Sequence, residues 1–325
     1  MDALLKTLLQ SDEPAIRYRM LAHVMGCHPD SQDMREARQA IRQSPRIQAL
    51  LAERDANGRL PYGAYHKWDG PHWVLTMLAE MGYPPGDESL RPLAEQVYSW
   101  LFSDKHIKRI KRVTIADRVR MCASMEGNAI YYLLSLGLAD DRVNQLVQRL
   151  LDWQWPDGGW NCDKRPDVQH TSSFMETLIP LRGLAAYARH TGSAQARVGV
   201  EQAAEVFLKR RLYKRVRDGQ VMDASFICLH YPCYWHYDIL FGLKVMAEAG
   251  FITDPRCADA LDLLESKRLP DGGFPAEKKY YRVTDQPVSG RSLVDWGGTS
   301  QQHLNPFVTT DALIVLKAAG RLPVP

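Results

Sequence analysis

Residues 239–250, ILFGLKVMAEAG, decide how this chain folds, because they form an apolar run at helical spacing that stops on a glycine. The same design recurs at 17–26 (RYRMLAHVMG), 72–82 (HWVLTMLAEMG), 128–137 (NAIYYLLSLG), 175–192 (METLIPLRGLAAYARHTG) and 310–320 (TDALIVLKAAG). The closing glycines Gly26, Gly82, Gly137, Gly192, Gly250 and Gly320 stand 56, 55, 55, 58 and 70 residues apart. Glycine ends helices because it enters the left-handed region without the steric cost of a Cβ. A fixed period of this length marks a repeat architecture, and at about 1.5 Å of rise per residue it holds two helices with their connections. Between the glycines lie more charged segments, 89–102, 141–153, 194–212 and 255–267, with apolar residues at three- and four-residue spacing, the pattern of an amphipathic outer helix. The reading is all-α: six helical hairpins arranged as an (α/α)6 toroid around a central cavity.

The repeat runs through all 325 residues without a linker-like stretch, so 1–325 reads as a single domain. Apolar residues make up 45% and charged residues 24%, the balance of a globular protein with a large core. The opening MDALLK has no basic region followed by an apolar one, and no later stretch approaches the length of a membrane span. Six scattered cysteines form neither a disulfide framework nor paired CxxC knuckles, which fits reduced thiols in a cytoplasm. A net charge of +3 gives no sign of nucleic-acid binding. Two basic clusters, 105–112 (KHIKRIKR) and 209–217 (KRRLYKRVR), read as solvated turns, with peripheral contact to an anionic membrane as the alternative.

Three turns share one signal: 55–60 (DANGRL), 155–160 (WPDGGW) and 269–274 (LPDGGF). Asn-Gly and Asp-Gly pairs ask for a tight turn with positive φ. The large residue that follows can then plug the space between hairpins. The stretch 275–305 lengthens the last repeat and is rich in Gly, Ser, Asp and Tyr, which reads as a lid or binding loop.

The segment 154–160, QWPDGGW, resembles the QW-type repeat of the squalene cyclase and protein prenyltransferase superfamily. Through the repeats the resemblance covers nearly the whole chain. Further segments, Trp160-Asn161-Cys162, Ser172-Ser173-Phe174, Arg210-Arg211-Leu212, Trp235-His236-Tyr237-Asp238 and the turn at 266–272, are similar to bacterial prenyltransferase-repeat proteins. The resemblance implies an α/α toroid and a hydrophobic, isoprenoid-like substrate. The chain departs from the superfamily's reaction motifs. It has no DxDD acid string, and Trp160 stands where the zinc prenyltransferases carry an aspartate two residues before a cysteine. The DDxxN-like run at 140–144 follows a closing glycine and reads as a helix cap.

In such a toroid the starts of the inner helices converge on one face, and these positions are polar here. Asp238 and His236 read as the proton-handling pair, with Glu126, Cys122 and Cys162 in support. Trp68, His72, Trp73, His170, Ser173, Trp235, Tyr237 and Asp311 read as substrate contacts. The expected chemistry is cofactor-free isomerisation, cyclisation or dehydration of a hydrophobic small molecule. A zinc-dependent prenyltransferase-like or hydrolytic enzyme is one alternative, with Cys162, Asp163, His170 and His236 as ligands of adequate type. A second is a carbohydrate-active toroid using Glu126, Asp238 and Asp311 beside Trp68, Trp73 and Trp235. A third is a non-catalytic lipid carrier or scaffold.

Overall fold

A computed structural model describes residues 2–108, 118–165 and 170–322. These are overwhelmingly helical: α1 (Asp2–Leu9), α2 (Pro14–Arg19), α3 (Gln32–Ala40), α4 (Pro45–Leu51), α5 (Pro71–Glu80), α6 (Arg91–Leu101), α7 (Asp104–Ile107), α8 (Ser124–Ser135), α9 (Asp141–Asp152), α10 (Phe174–Thr191), α11 (Ala194–Leu208), α12 (Ile239–Ala249), α13 (Ala258–Ser266) and α14 (Pro306–Ala318). The protein is all-α, and none of the described helices is long and apolar enough to cross a membrane. Strand structure among the described residues is confined to a two-residue parallel pair, β1 (Arg282–Val283) and β2 (Arg291–Ser292), and isolated bridges.

All six closing glycines sit at positive φ, from +65° to +87°. The apolar runs before them are α2, α5, α8, α10, α12 and α14, and α2 continues through a π-helical turn over Met20–Val24 before reaching Gly26. Each of these helices packs on the next in the order α5, α8, α10, α12, α14, α2. Tyr18 on α2 then lies against Gly82 at the end of α5. The more polar α3, α6, α9, α11 and α13 each pack on the apolar helix they follow. The closest crossing joins α8 and α10. A Cβ on Gly127 would stand 2.5 Å from the Pro180 Cα, and one on Gly183 would stand 2.3 Å from the Gly127 carbonyl oxygen.

The three shared turns fold alike. In each, the first residue donates its N–H to the carbonyl four residues on (Asp55 to Arg59, Trp155 to Gly159, Leu269 to Gly273), and the glycine at the fourth position donates back to the first. Gly58, Gly158 and Gly272 adopt the positive φ that the Asn-Gly and Asp-Gly pairs require. Leu60, Trp160 and Phe274 follow as buried plugs. Thr177 Oγ1 takes the N–H of Trp160, and Thr309 Oγ1 takes that of Phe274 and donates to its carbonyl. Trp160 and Phe274 are thereby tied to the apolar helices α10 and α14, while Leu60 exchanges bonds with the Gln96 amide on α6.

The stretch 275–305, expected as a lid, is anchored to the first hairpins. Arg291 is buried and bonds Glu53, Tyr62 and Asp69, while the Trp68 indole N–H donates to the Tyr280 carbonyl. Asp140 caps α9 by accepting the Arg142 N–H, as its place after Gly137 leads one to expect. In the 209–217 cluster Arg211 and Lys214 pair with Asp259, and Arg215 and Arg217 with Asp218. The 105–112 cluster lies partly outside the described residues.

Candidate functional site

Where the apolar helices meet, polar side chains from all six of them contact one another. Arg19 on α2 bonds Asp311 on α14, and Lys244 on α12 bridges Asp311 at 3.1 Å and Glu80 on α5 at 2.5 Å. Arg182 on α10 bonds Glu80, pairs with Glu248 at 2.6 Å and donates to the Tyr131 hydroxyl on α8 at 2.8 Å. Three cations face three carboxylates, so the buried charge cancels, as burial of ions demands. Burial alone would raise the Asp311 carboxyl, but Arg19 and Lys244 outweigh it and hold it below the ordinary carboxylate range. Glu80 is depressed in the same way by Arg182 and Lys244. Asp311, expected to touch substrate, is committed to this network.

A cavity of about 10 Å3, bounded by Thr76, Asn128, Ile179, Cys233 and Phe241, has room for about one water at most. Beyond the ion network a cavity of about 160 Å3 is lined by Tyr18, Arg19, Glu80, Tyr131, Arg182 and Lys244. The segment 231–234 lines the smaller of these cavities, with Tyr234 stacked 4.0 Å from Trp68.

Other expected site residues also have structural partners. Asp238 and His236 do not form a pair: the Asp238 carboxylate caps α12 through the Phe241 N–H, accepts the His230 N–H and lies 2.6 Å from His230 Nδ1. His236 instead stacks between Trp235 and Tyr280. Glu126 is buried against His106 at 2.9 Å and Arg149 at 3.7 Å. Trp68, His72 and Trp73 belong to the core, where the His72 ring meets the Tyr132 hydroxyl at 3.1 Å and burial lowers its pKa to about 3. The Tyr237 hydroxyl donates to the Leu212 carbonyl. Ser173 is the first residue before α10, its N–H bonded to Trp160, and His170 is exposed. Among the described residues, Asp163, His170 and His236, named as zinc ligands of adequate type, do not gather around Cys162.

Cys122 and Cys162 do come together, and Glu176 joins them: the two Sγ atoms and a Glu176 carboxylate oxygen all lie within 4.8 Å of one another, and all three residues are partly accessible. The convergence is built by the backbone. Met121 donates its N–H to the Asn161 carbonyl at 3.0 Å, and the next residues of the two segments are Cys122 and Cys162. Glu176, in the first turn of α10, reaches across to accept the N–H of Ser124 at 3.0 Å and so caps the start of α8. The glycine crossing of α8 and α10 fixes the two helix starts relative to each other.

Burial raises the Glu176 carboxyl above its usual range against the opposing Ser124 bonds. The Cys122 thiol is lowered because the Cys162 thiol bonds its sulfur, and the same bond together with burial holds Cys162 well above the ordinary thiol. Tyr65 borders the cluster; burial, then the charges of Glu176, Cys122 and Cys162, keep its phenol protonated far above the usual range. Its ring packs on His72, Trp73 and Trp100 and gives the cluster an aromatic flank. Sequence reading had two of these four residues. The Ser173-Phe174-Met175-Glu176 spacing matches a capping box, which points Glu176 at its own helix start rather than at the neighbouring one it caps. Comparison of the chain with family models, with curated proteins and with solved structures found no match.

Proposed function

We propose that the protein is an enzyme of the terpenoid cyclase-like, prenyltransferase-repeat class. Its six hairpins close into an (α/α)6 toroid, and its functional centre is the cluster of Cys122, Cys162 and Glu176 beside Tyr65. The observation that carries this reading is the convergence itself: the Glu176 carboxyl in the first turn of α10, the Cys122 thiol just before α8 and the Cys162 thiol of the preceding loop meet, partly open to solvent and flanked by aromatic rings. Asp238, Glu126 and Asp311 are by contrast buried with their partners. The chemistry such groups supply on an apolar molecule is proton transfer, giving isomerisation, cyclisation or dehydration. The aromatic flank suits an isoprenoid-like substrate, since ring faces stabilise carbocations.

The test is incubation with linear isoprenoid alcohols, diphosphates and triterpenes, read by product mass spectrometry, for the natural protein and for Glu176→Gln and Cys122→Ser. The expected outcome is a product whose rate falls at least about a hundredfold in both variants, the scale of a general acid–base contribution. Equal conversion by the natural protein and Glu176→Gln, or no conversion of any member of the set, would overturn the reading.

A further inference from the structure

We infer that Cys122, Cys162 and Glu176 form a binding site for a thiophilic divalent cation of the zinc type, with one coordination position left for an outside ligand. This deepens the functional reading of the same cluster but stands on its geometry. Tetrahedral zinc with bonds of about 2.3 Å to sulfur and about 2.0–2.2 Å to oxygen spaces its ligand atoms about 3.5–3.8 Å apart. The three donor atoms here lie within 4.8 Å of one another, so side-chain adjustment of an ångström or so completes the set.

The supporting structure matches the requirement for preorganisation. Both cysteines are placed by the Met121 to Asn161 backbone bond, and one carboxylate oxygen of Glu176 is already oriented by the Ser124 N–H. That bond engages Oε2. A hydrogen bond to a ligand's own side chain commonly holds it in place for a metal. Two sulfur donors select zinc-like ions over magnesium or calcium, which take oxygen ligands. Three protein ligands with an accessible fourth position is the arrangement of catalytic rather than structural zinc. Once loaded, such an ion would supply a bound water or hold a substrate oxygen at the open position, and Glu176 would then orient the metal.

The test is titration of chelator-treated full-length protein with Co2+, followed by displacement with Zn2+. The expected result is about one equivalent of Co2+ bound with near-ultraviolet thiolate-to-cobalt charge transfer and visible bands of tetrahedral intensity, both removed by Zn2+. Cys122→Ser and Cys162→Ser should each abolish or strongly weaken the charge-transfer band, and Glu176→Gln should weaken Co2+ binding about tenfold or more. Cys27→Ser and Cys228→Ser should leave it unchanged. Circular dichroism of each metal-free variant separates loss of a ligand from loss of fold. No charge-transfer band at stoichiometric Co2+, or a band that survives Cys122→Ser and Cys162→Ser in folded protein, would overturn the inference. The readout is independent of turnover: failure to bind metal leaves the proton-transfer reading standing, and failure to convert isoprenoids leaves the metal site standing.

Discussion

At the scale of single residues, one type of side chain serves opposite ends here. Asp238 and Glu176 both stand at the start of an apolar helix, yet Asp238 is enclosed, its oxygens taken by Phe241 and His230. Glu176 accepts the first N–H of a neighbouring helix and places a carboxylate oxygen beside two thiols. The difference lies outside the local sequence. Asp238 followed by an apolar run reads equally well as a cap or as an acid, and the sequence shows no partner for either role. The cysteine pair was visible as two polar positions at helix starts, but their adjacency depends on a backbone bond between residues 121 and 161. Glu176 was hidden because its partner, Ser124, lies 52 residues away.

At the scale of elements, the signals that held were those with a local physical cause. The closing glycines and the Asn-Gly and Asp-Gly turns depend on φ at one residue, and every one adopts the positive value its place requires. The outer helices begin and end within a few residues of the expected spans, except where the 194–212 segment leaves helix after Leu208. The crossing of α8 and α10 was not legible, because Gly127 and Gly183 sit inside helical runs where glycine carries no turn signal. Their role shows only when two backbones meet. Gly127→Ala places a methyl 2.5 Å from the Pro180 Cα, so the helices must separate. The expected cost is about 1–3 kcal/mol, measured by urea denaturation, and the displaced helix starts should also impair the cysteine cluster. A midpoint equal to that of the natural protein would show that the crossing is loose.

At the scale of the whole molecule, polar residues on the apolar helices tie those helices to one another. Arg19, Glu80, Tyr131, Arg182, Lys244 and Asp311 come one from each apolar helix, and each meets partners from another. Such a network links all six apolar helices through their side chains. It also makes stability depend on acid. The Glu80 and Asp311 carboxyls are depressed in the folded protein, so the stability they confer is fully present above the unfolded carboxyl range near about 4 and is lost as pH falls through their folded values. Thermal midpoints measured from neutral to acid pH should therefore drop below about pH 4. Glu80→Gln and Asp311→Asn should be less stable at neutral pH, because each leaves a buried cation short of a partner, and should show a shallower acid dependence. An acid dependence unchanged in both variants would remove the network from the account.

The claim on which the functional account turns is that Cys122 and Cys162, 40 residues apart in sequence, face each other at one accessible site. The most direct measurement is treatment of the folded, metal-free protein with a short thiol-to-thiol cross-linker, followed by peptide mass spectrometry. The account predicts a dominant bridge between the peptides carrying Cys122 and Cys162, which disappears on prior addition of Zn2+ and in Cys162→Ser. Separate single modification of the two cysteines with no bridge between them would contradict it.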